Sequence, residues 1–435
     1  MQADPGVPGP HPLGGGDGGG LGLRGRLVTG RSGDGVIDDG TVVIAGSSIM
    51  WAGPTTELPA GVDVETTQVP LILPGLVDVH CHGAVGHTFS SDAEGARRAA
   101  GYYAAQGTTS VLASLVSAPP DVLLEQIAVL RALVQDGTLA GLHLEGPFIT
   151  KSMCGAQDPA AIIEGDPGLL KEWLEAGQGT VRSLTLAPET AHFEELVALC
   201  RDFRVVPSIG HTDATAARTR DALASDDGRW SATHLFNRMP PLGHRAPGPI
   251  PVLLQAARQS PDRMVLELIA DGVHLDPEIV RMVFSLVGPG SIALVTDAMA
   301  AAGMSDGLYT LGSLDVRVQD RVARLVTSTD DAHPGAIAGA TSLLLENVRR
   351  CVGWGVPLAD AVTAASATPA RLMGLDQPDS SQADSSQAGS AQIGSLTAGN
   401  RADVLVTTEE LDLVQVYKAG TPLLQERNTR ADYSV

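Results

Sequence analysis

The chain has 435 residues, 43% of them hydrophobic, which suits a large barrel with a smaller companion better than one small domain. A formal charge of −21 disfavours nucleic acid and anionic membrane as partners, although a few local cations suffice for a small anionic ligand. No apolar run reaches a bilayer span, no basic-then-apolar leader opens the chain, and Cys81, Cys154, Cys200 and Cys351 form no Cys-x-x-Cys pair, so a reduced cytoplasmic protein without a structural zinc module is expected.

Residues 1–22 are rich in Gly and Pro and read as a disordered tail. From 23 to 72 short β runs alternate with turns, as in LRGRLVTG, GTVVIAG and SIMWAG. Matching β runs, ADVLVTT and LVQVYKAG, lie within 392–435, so both chain ends are expected to build one small β-sandwich. A Ser- and Gln-rich stretch at 375–391 reads as a flexible loop.

The middle, 73–374, alternates strand and helix. Eight strand candidates appear in order: 73–80, 108–116, 139–146, 181–189, 205–211, 230–236, 264–271 and 291–299. Ala- and Leu-rich segments of helical period separate them, as at 121–136 and 192–202. Eight strand–helix units predict an α/β fold of the (β/α)8 TIM-barrel type. With aromatics at only 3%, its core must be built from small and branched aliphatics. Its active site belongs at the C-terminal ends of the strands.

Polar side chains collect at those ends. The first strand ends in His80-Cys81-His82, the third in His143-Leu144-Glu145, the fifth in Gly210-His211 and the sixth in Thr233-His234. The seventh leads to Asp271-Gly272-Val273-His274, and the eighth carries Thr296-Asp297. The period of two puts His80 with His82, and His143 with Glu145, on shared faces. A lone histidine after a strand is more often a core or capping residue. Imidazoles and a carboxylate converging from several strands instead suit zinc or a similar divalent ion. The three lysines, Lys151, Lys171 and Lys418, avoid the barrel strands, so no carbamylated strand lysine can bridge two ions and Glu145 is the candidate carboxylate ligand.

The motifs DVHCHG, GLHLEGPF, SIGHTDA, ATHLFNRMP, HRAPG, ADGVHLDP, LVTDAM and AGAT follow one another over residues 78–341. As an ordered set they resemble the N-acetylglucosamine-6-phosphate deacetylase family of the amidohydrolase superfamily. The closing SLTAGNRADVLV resembles that superfamily's return into the small β domain. The resemblance implies hydrolysis of N-acetylglucosamine 6-phosphate to glucosamine 6-phosphate and acetate, as in amino-sugar catabolism and cell-wall recycling. It implies Glu145, His211 and His234 as ligands of a principal ion, and His80 and His82 as ligands of a second, hence one or two divalent ions per subunit, zinc being the expected metal. Asp297 becomes the general acid/base. His274 and Arg245 match phosphate-binding positions, with Asn237 and Arg238 beside them. Ile337, Ala338 and Gly339 match a loop lining the acetyl pocket. The arginine of such enzymes reaches the neighbouring subunit's site, which implies a homodimer.

The chain departs from the family once. Where the family places a histidine that assists the substrate carbonyl, this chain reads Gly155-Ala156-Gln157-Asp158-Pro159. Gln157 can donate a neutral hydrogen bond but cannot carry a proton, so a slower enzyme is expected, with Ala156 and Gln157 facing substrate. The competing readings are deacetylation of another N-acetylhexosamine 6-phosphate, the galactosamine epimer for example, and a weakly active sugar-phosphate-binding relative.

Overall fold

All eight barrel strands form in the computed structural model: Val77–Cys81, Ser110–Val116, Gly141–Glu145, Val181–Leu186, Val206–Ile209, Trp230–Ala232, Met264–Ile269 and Ile292–Val295. The structure describes residues 20–31, 33–90, 92–326, 335–377 and 392–423. The expected tail therefore lies outside the described residues through residue 19, and the expected loop from 378 to 391. Each strand pairs in parallel with the next in sequence. Helices cover the outside, so the strands are buried on both faces and read as nearly continuous apolar runs, such as SVLASLV.

A helix follows each strand: Ala93–Ala105, Pro120–Gln135, Pro167–Gly177, Phe193–Asp202, Ala216–Ala224, Ile250–Gln259, Pro277–Val287 and Leu344–Gly353. Local sequence starts several of them. Asp92, Asp166, Thr215 and Asp276 each accept a backbone N–H of the first turn, and proline occupies the first turn of the second, third, sixth and seventh. The scarce aromatics sit where helices meet strands and loops: Phe148 stacks on Trp173 at 5.5 Å, and Phe193 on Trp230 at 6.3 Å.

The ring closes between the first and eighth strands through side chains as well as backbone. Asp78, fully buried, accepts from the His80 N–H at 3.2 Å, the Thr296 N–H at 3.3 Å and the Thr296 hydroxyl at 2.6 Å. Beyond it, the Asp297 N–H donates to the His80 carbonyl at 2.8 Å and the His82 N–H to the Ala298 carbonyl at 2.7 Å. The seam thus delivers His80, His82 and Asp297 to one place.

The chain ends meet in a seven-stranded sheet that runs from Leu21–Val28, Val36–Ala45, Ser48–Pro54 and Thr66–Pro74 to Val404–Thr407, Leu413–Lys418 and Thr421–Leu423. Ile49 and Tyr417 lie five strands apart in that order yet share one apolar cluster with Leu27, Ile44, Ile72 and Val404. The expected sandwich is therefore one sheet curled over its own core. Its borders differ by a few residues from the expectation, because Leu21 and Gly22 already pair and Leu73 and Pro74 belong to this sheet rather than to the first barrel strand. The break falls at Gly75, where a Cβ would lie 2.2 Å from the Thr109 hydroxyl oxygen and 2.7 Å from Asp403 Cβ.

One element was not anticipated. A three-stranded antiparallel sheet, Gly307–Leu311, Leu314–Gln319 and Val322–Leu325, is inserted between the eighth strand and its helix. It packs Leu311, Val316 and Ala323 on Val116, Met299 and Ala338, beside the barrel mouth. Among the described residues, no helix is long and apolar enough to cross a membrane.

Replacing Asp78 by Ala would strand three donors in the seam. A loss of about 1–3 kcal/mol for each buried unsatisfied group sets the scale. Urea unfolding of the Asp78→Ala protein should show a midpoint lowered by at least about 1 kcal/mol in stability; an unmoved midpoint would remove the seam from the account of barrel closure.

Candidate metal centre and substrate pocket

The mouth of the barrel holds a cavity of about 230 Å³. Among the expected site residues, His82, Glu145, Ala156, Gln157, His211, His234, Asn237, Arg238, His274, Asp297, Ile337 and Gly339 line it. His80 lies behind, fully buried, and Ala338 is packed in the core beside the inserted sheet. Arg245 is exposed and does not line the cavity of its own chain. Phe236 and Leu311 complete the wall. A larger cleft of about 1010 Å³ lies at the strand starts, near Ser110, Ala140, Arg182 and Val206, and contains none of the expected site residues.

Two groups of potential ligands form, each buried: Glu145 with His211 and His234, and His80 with His82 and Asp297. In the first, Glu145 Oε1 is 3.0 Å from His211 Nε2 and 3.1 Å from His234 Nε2, and the two nitrogens are 3.1 Å apart. In the second, His80 Nε2 is 3.3 Å from His82 Nε2 and 3.4 Å from Asp297 Oδ1, and His82 Nε2 is 3.2 Å from that oxygen. Glu145 joins them, with Oε2 3.2 Å from His82 and Oε1 3.5 Å from His80.

The donor chemistry fits a divalent ion. Two imidazole nitrogens and a carboxylate oxygen facing one another offer lone pairs with few protons to share. Ligands about 2.0–2.2 Å from a tetrahedral zinc ion stand about 3.3–3.6 Å from each other; the second triangle lies close to that spacing, and the first is a few tenths of an ångström tighter. The outer nitrogens are held as such ligands require. His82 Nδ1 is 3.1 Å from the Ser114 carbonyl and His211 Nδ1 is 2.9 Å from the Met153 carbonyl, so each donates outward and turns Nε2 inward.

Backbone conformation aims three of these side chains. His211, His234 and Asp297 have φ of 48°, 31° and 50°, the left-handed region that non-glycine residues rarely occupy. Each follows a strand, and the reversal swings its side chain over the barrel axis.

The charges inside the mouth compensate one another. Burial disfavours the imidazolium of His82, but hydrogen bonds to Asp297 and Glu145 outweigh it and raise its pKa to about 9. Burial likewise disfavours ionised Asp297, yet the charge of His80 and the hydrogen bond from His82 lower it to about 2. Glu145 is held well below the ordinary carboxylate range, burial being outweighed by His80 and by the bonds to His211 and His234. His143 behaves oppositely. Burial, and then the charge of His80, push it well below the ordinary imidazole value, and it bonds Ser114 and Thr185 beneath the site. It is a neutral spacer.

Gln157 is buried with both ends of its amide engaged. Oε1 accepts the Ser117 N–H at 2.6 Å, and Nε2 donates to Glu145 Oε2 at 2.5 Å. The residue expected to face the substrate carbonyl thus also anchors the shared carboxylate. Farther out, His274 Nδ1 is 2.8 Å from Asp271 Oδ2, which leaves Nε2 as its free end. Arg238 lies against Gly155, where a Cβ would come within 2.5 Å of Arg238 Nε.

Sequence reading missed Glu267. It is buried on the seventh strand, 3.0 Å from His80 Nδ1. Its signal was a lone acid in the apolar run MVLELI, at a position whose parity matches Val265 and Ile269 on one strand face. Asp271 was visible as part of a motif but carried no role.

Comparison with known proteins agrees with this geometry. Residues 71–423 match the amidohydrolase family model. An N-acetylglucosamine-6-phosphate deacetylase of Bacillus subtilis is 30% identical over 391 residues, spanning 87% of this chain and 91% of that one. An N-acetylgalactosamine-6-phosphate deacetylase of Escherichia coli O157:H7 is 31% identical, spanning 83% and 90%. A crystal structure from Mycobacterium smegmatis superposes with a TM-score of 0.81 at 36% identity, covering 93% of this chain and 99% of that one; it is a mutant N-acetyl-D-glucosamine-6-phosphate deacetylase in complex with N-acetyl-D-glucosamine-6-phosphate.

The raised proton affinity of His82 makes ion binding pH-dependent. Between its ordinary value near 6.5 and about 9, a chelator-stripped protein keeps a proton on His82 that an ion must displace. Affinity should therefore climb with pH, by about tenfold per unit for each proton displaced, and level off above about 9. Zinc titrations at fixed ionic strength would read this, and an affinity flat from pH 6.5 to 9 would contradict the charge balance.

Proposed function

The chain belongs to the N-acetylglucosamine-6-phosphate deacetylases of the amidohydrolase family, and from that premise we propose that it hydrolyses N-acetylglucosamine 6-phosphate to glucosamine 6-phosphate and acetate. The observation that supports this most directly is the pair of ligand triangles sharing Glu145, with Asp297 exposed to the same cavity.

Glu145, His211 and His234 would hold the principal ion, and His80, His82 and Asp297 a second, with zinc as the proposed metal. A divalent ion supplies Lewis acidity, which polarises an amide carbonyl and makes water a competent nucleophile near neutral pH. The residues supply the rest. Asp297, kept ionised by His80 and His82, takes a proton from the attacking water and delivers it to the sugar nitrogen as the C–N bond breaks. Water oxygen ends in acetate, and the amine leaves neutral. Ile337 and Gly339, with Leu311 of the inserted sheet, shape an apolar wall for the acetyl methyl. Gln157 donates its second amide proton towards the carbonyl oxygen while its first holds Glu145.

The phosphate falls to His274, Asn237 and Arg238 at the outer wall and to Arg245. The exposure of Arg245, outside its own cavity, fits donation to a second subunit, so a homodimer is part of the proposal. The four free cysteines suit a reducing compartment, the cytoplasm. A second reading, the galactosamine epimer, is favoured by the similarity to the Escherichia coli enzyme named for it.

Acetate release by the zinc-loaded protein, compared on the two epimeric 6-phosphates, tests the proposal; a failure to deacetylate either would defeat it. Asp297→Asn should lower kcat by about 10²–10⁴-fold, the range that positioned acid–base catalysis supplies. A variant within threefold of wild type would leave Asp297 out of the reaction. Arg245→Ala should raise KM for the phosphorylated sugar by at least about tenfold, a loss of roughly 1.4 kcal/mol, and scarcely change the unphosphorylated one. Equal losses on both would assign Arg245 to structure or assembly.

A further inference from the structure

Glu267 has no place in the mechanism above. It belongs to neither ligand triangle and does not line the cavity. It is 1% exposed, on a strand buried throughout its length. A carboxylate in that position is costly unless its lone pairs are used. Its side-chain hydrogen bonds go to groups around the two triangles. Oε2 lies 3.0 Å from His80 Nδ1 and accepts the His234 backbone N–H at 3.3 Å, while Oε1 accepts the Ser231 hydroxyl at 3.2 Å.

The two histidines it touches belong to different triangles. His80 is the only ligand histidine among the four with a carboxylate behind its ring; His82 and His211 lean on carbonyls. His234 Nδ1 is buried without a hydrogen-bond partner, so no such bond fixes the far side of that ring. What holds the residue is its main chain, left-handed at this one position and donating its N–H to Glu267.

We propose that Glu267 is a positioning residue that makes the pocket a two-ion centre. Its Oε2 accepts a hydrogen bond from the Nδ1–H of His80, which fixes the proton there, leaves the Nε2 lone pair facing His82 and Asp297 and makes the ring a stronger donor. The same oxygen sets the His234 backbone, and so fixes the distance between the triangles. Loss of Glu267 removes the outer partner of the His80 ring itself but only a longer backbone contact from His234, so it weakens the His80 site far more than the site of Glu145, His211 and His234. The proposal rests on the reading of the triangles as metal sites.

The test is metal binding by the full chain, stripped with chelator and titrated with zinc or manganese. Wild type should take two ions per chain, and manganese-loaded protein should show the spectrum of an exchange-coupled pair in electron paramagnetic resonance. Glu267→Leu should keep the first ion and lose the coupled signal. Glu267→Gln is nearly isosteric and retains an acceptor for His80 and His234, which guards against a variant that fails to fold. It should weaken the second ion by about 10–100-fold, the range for outer partners of metal ligands, with the first ion changed less than threefold. A merely structural role would weaken both ions together and leave the coupled spectrum intact at saturation. A Glu267→Gln protein that binds both ions as wild type does, or a wild type that saturates at one, overturns the proposal. A wild type that takes no ion and releases no acetate overturns instead the metal reading beneath it.

Discussion

Four imidazoles surround one carboxylate. Glu145 has His211, His234 and His80 within 3.5 Å of Oε1 and His82 at 3.2 Å from Oε2, and these five residues come from four barrel strands or the turns after them. A carboxylate buried this deeply is stable only with that company, and the imidazoles are held at such close range only with a negative charge or a cation among them. The rest of the architecture serves this arrangement. Parallel strands bring the residues to one level, the Asp78 seam registers the first strand on the eighth, and left-handed turns bend three side chains over the axis. Each such backbone costs about 1–2 kcal/mol, and it is retained by bonds such as that from the Asp297 N–H to the His80 carbonyl.

The neutral residues matter as much as the charged ones. His143 sits at a ring separation of 4.6 Å from His80 and is kept uncharged by burial and by that neighbour. Its nitrogens reach the Ser114 and Thr185 hydroxyls, and from Thr185 the bonds continue to Thr233 and Ser208. This chain of neutral dipoles forms the floor on which the ionic cluster stands. A second charged ring there would add to the cations already crowded under Glu145. Gln157 completes the other side in the same manner, a neutral amide tying Glu145 to the Ser117 backbone.

The barrel was legible because its strands are apolar runs ended by polar residues, a pattern that depends on local sequence alone. The polar cluster was legible for the same reason: His80, His82, Glu145, His211, His234 and Asp297 each mark the end of a run, although the sequence reading assigned Asp297 an acid/base role and no place among the candidate ligands. What escaped depends on contacts between distant segments. Glu267 acts across 187 residues on His80, and its parity within MVLELI became meaningful only with the strand order known. The inserted sheet was hidden in a run of short β segments after the eighth strand, where the barrel pattern leads one to expect a helix. Gln157 was assigned to substrate by resemblance, and only the fold reveals that Glu145 lies within reach of its amide. The first-strand border slipped because LILPG reads as one run with LVDVH, whereas Gly75 separates two domains there.

The curled sheet has a consequence in time. Its strand Thr66–Pro74 pairs with Val404–Thr407, some 330 residues later in the chain. At about 5–20 residues per second, a ribosome needs roughly 15–65 s to make the intervening stretch. Throughout that interval Leu71, Ile72 and Leu73 present one unpaired strand edge, the kind of surface that recruits other chains. The whole barrel, with its candidate metal ligands, is synthesised inside this window. The small sheet is thus finished after the barrel, and the nascent chain must keep an apolar edge covered or solvated until the strands from Val404 onward emerge to cover it.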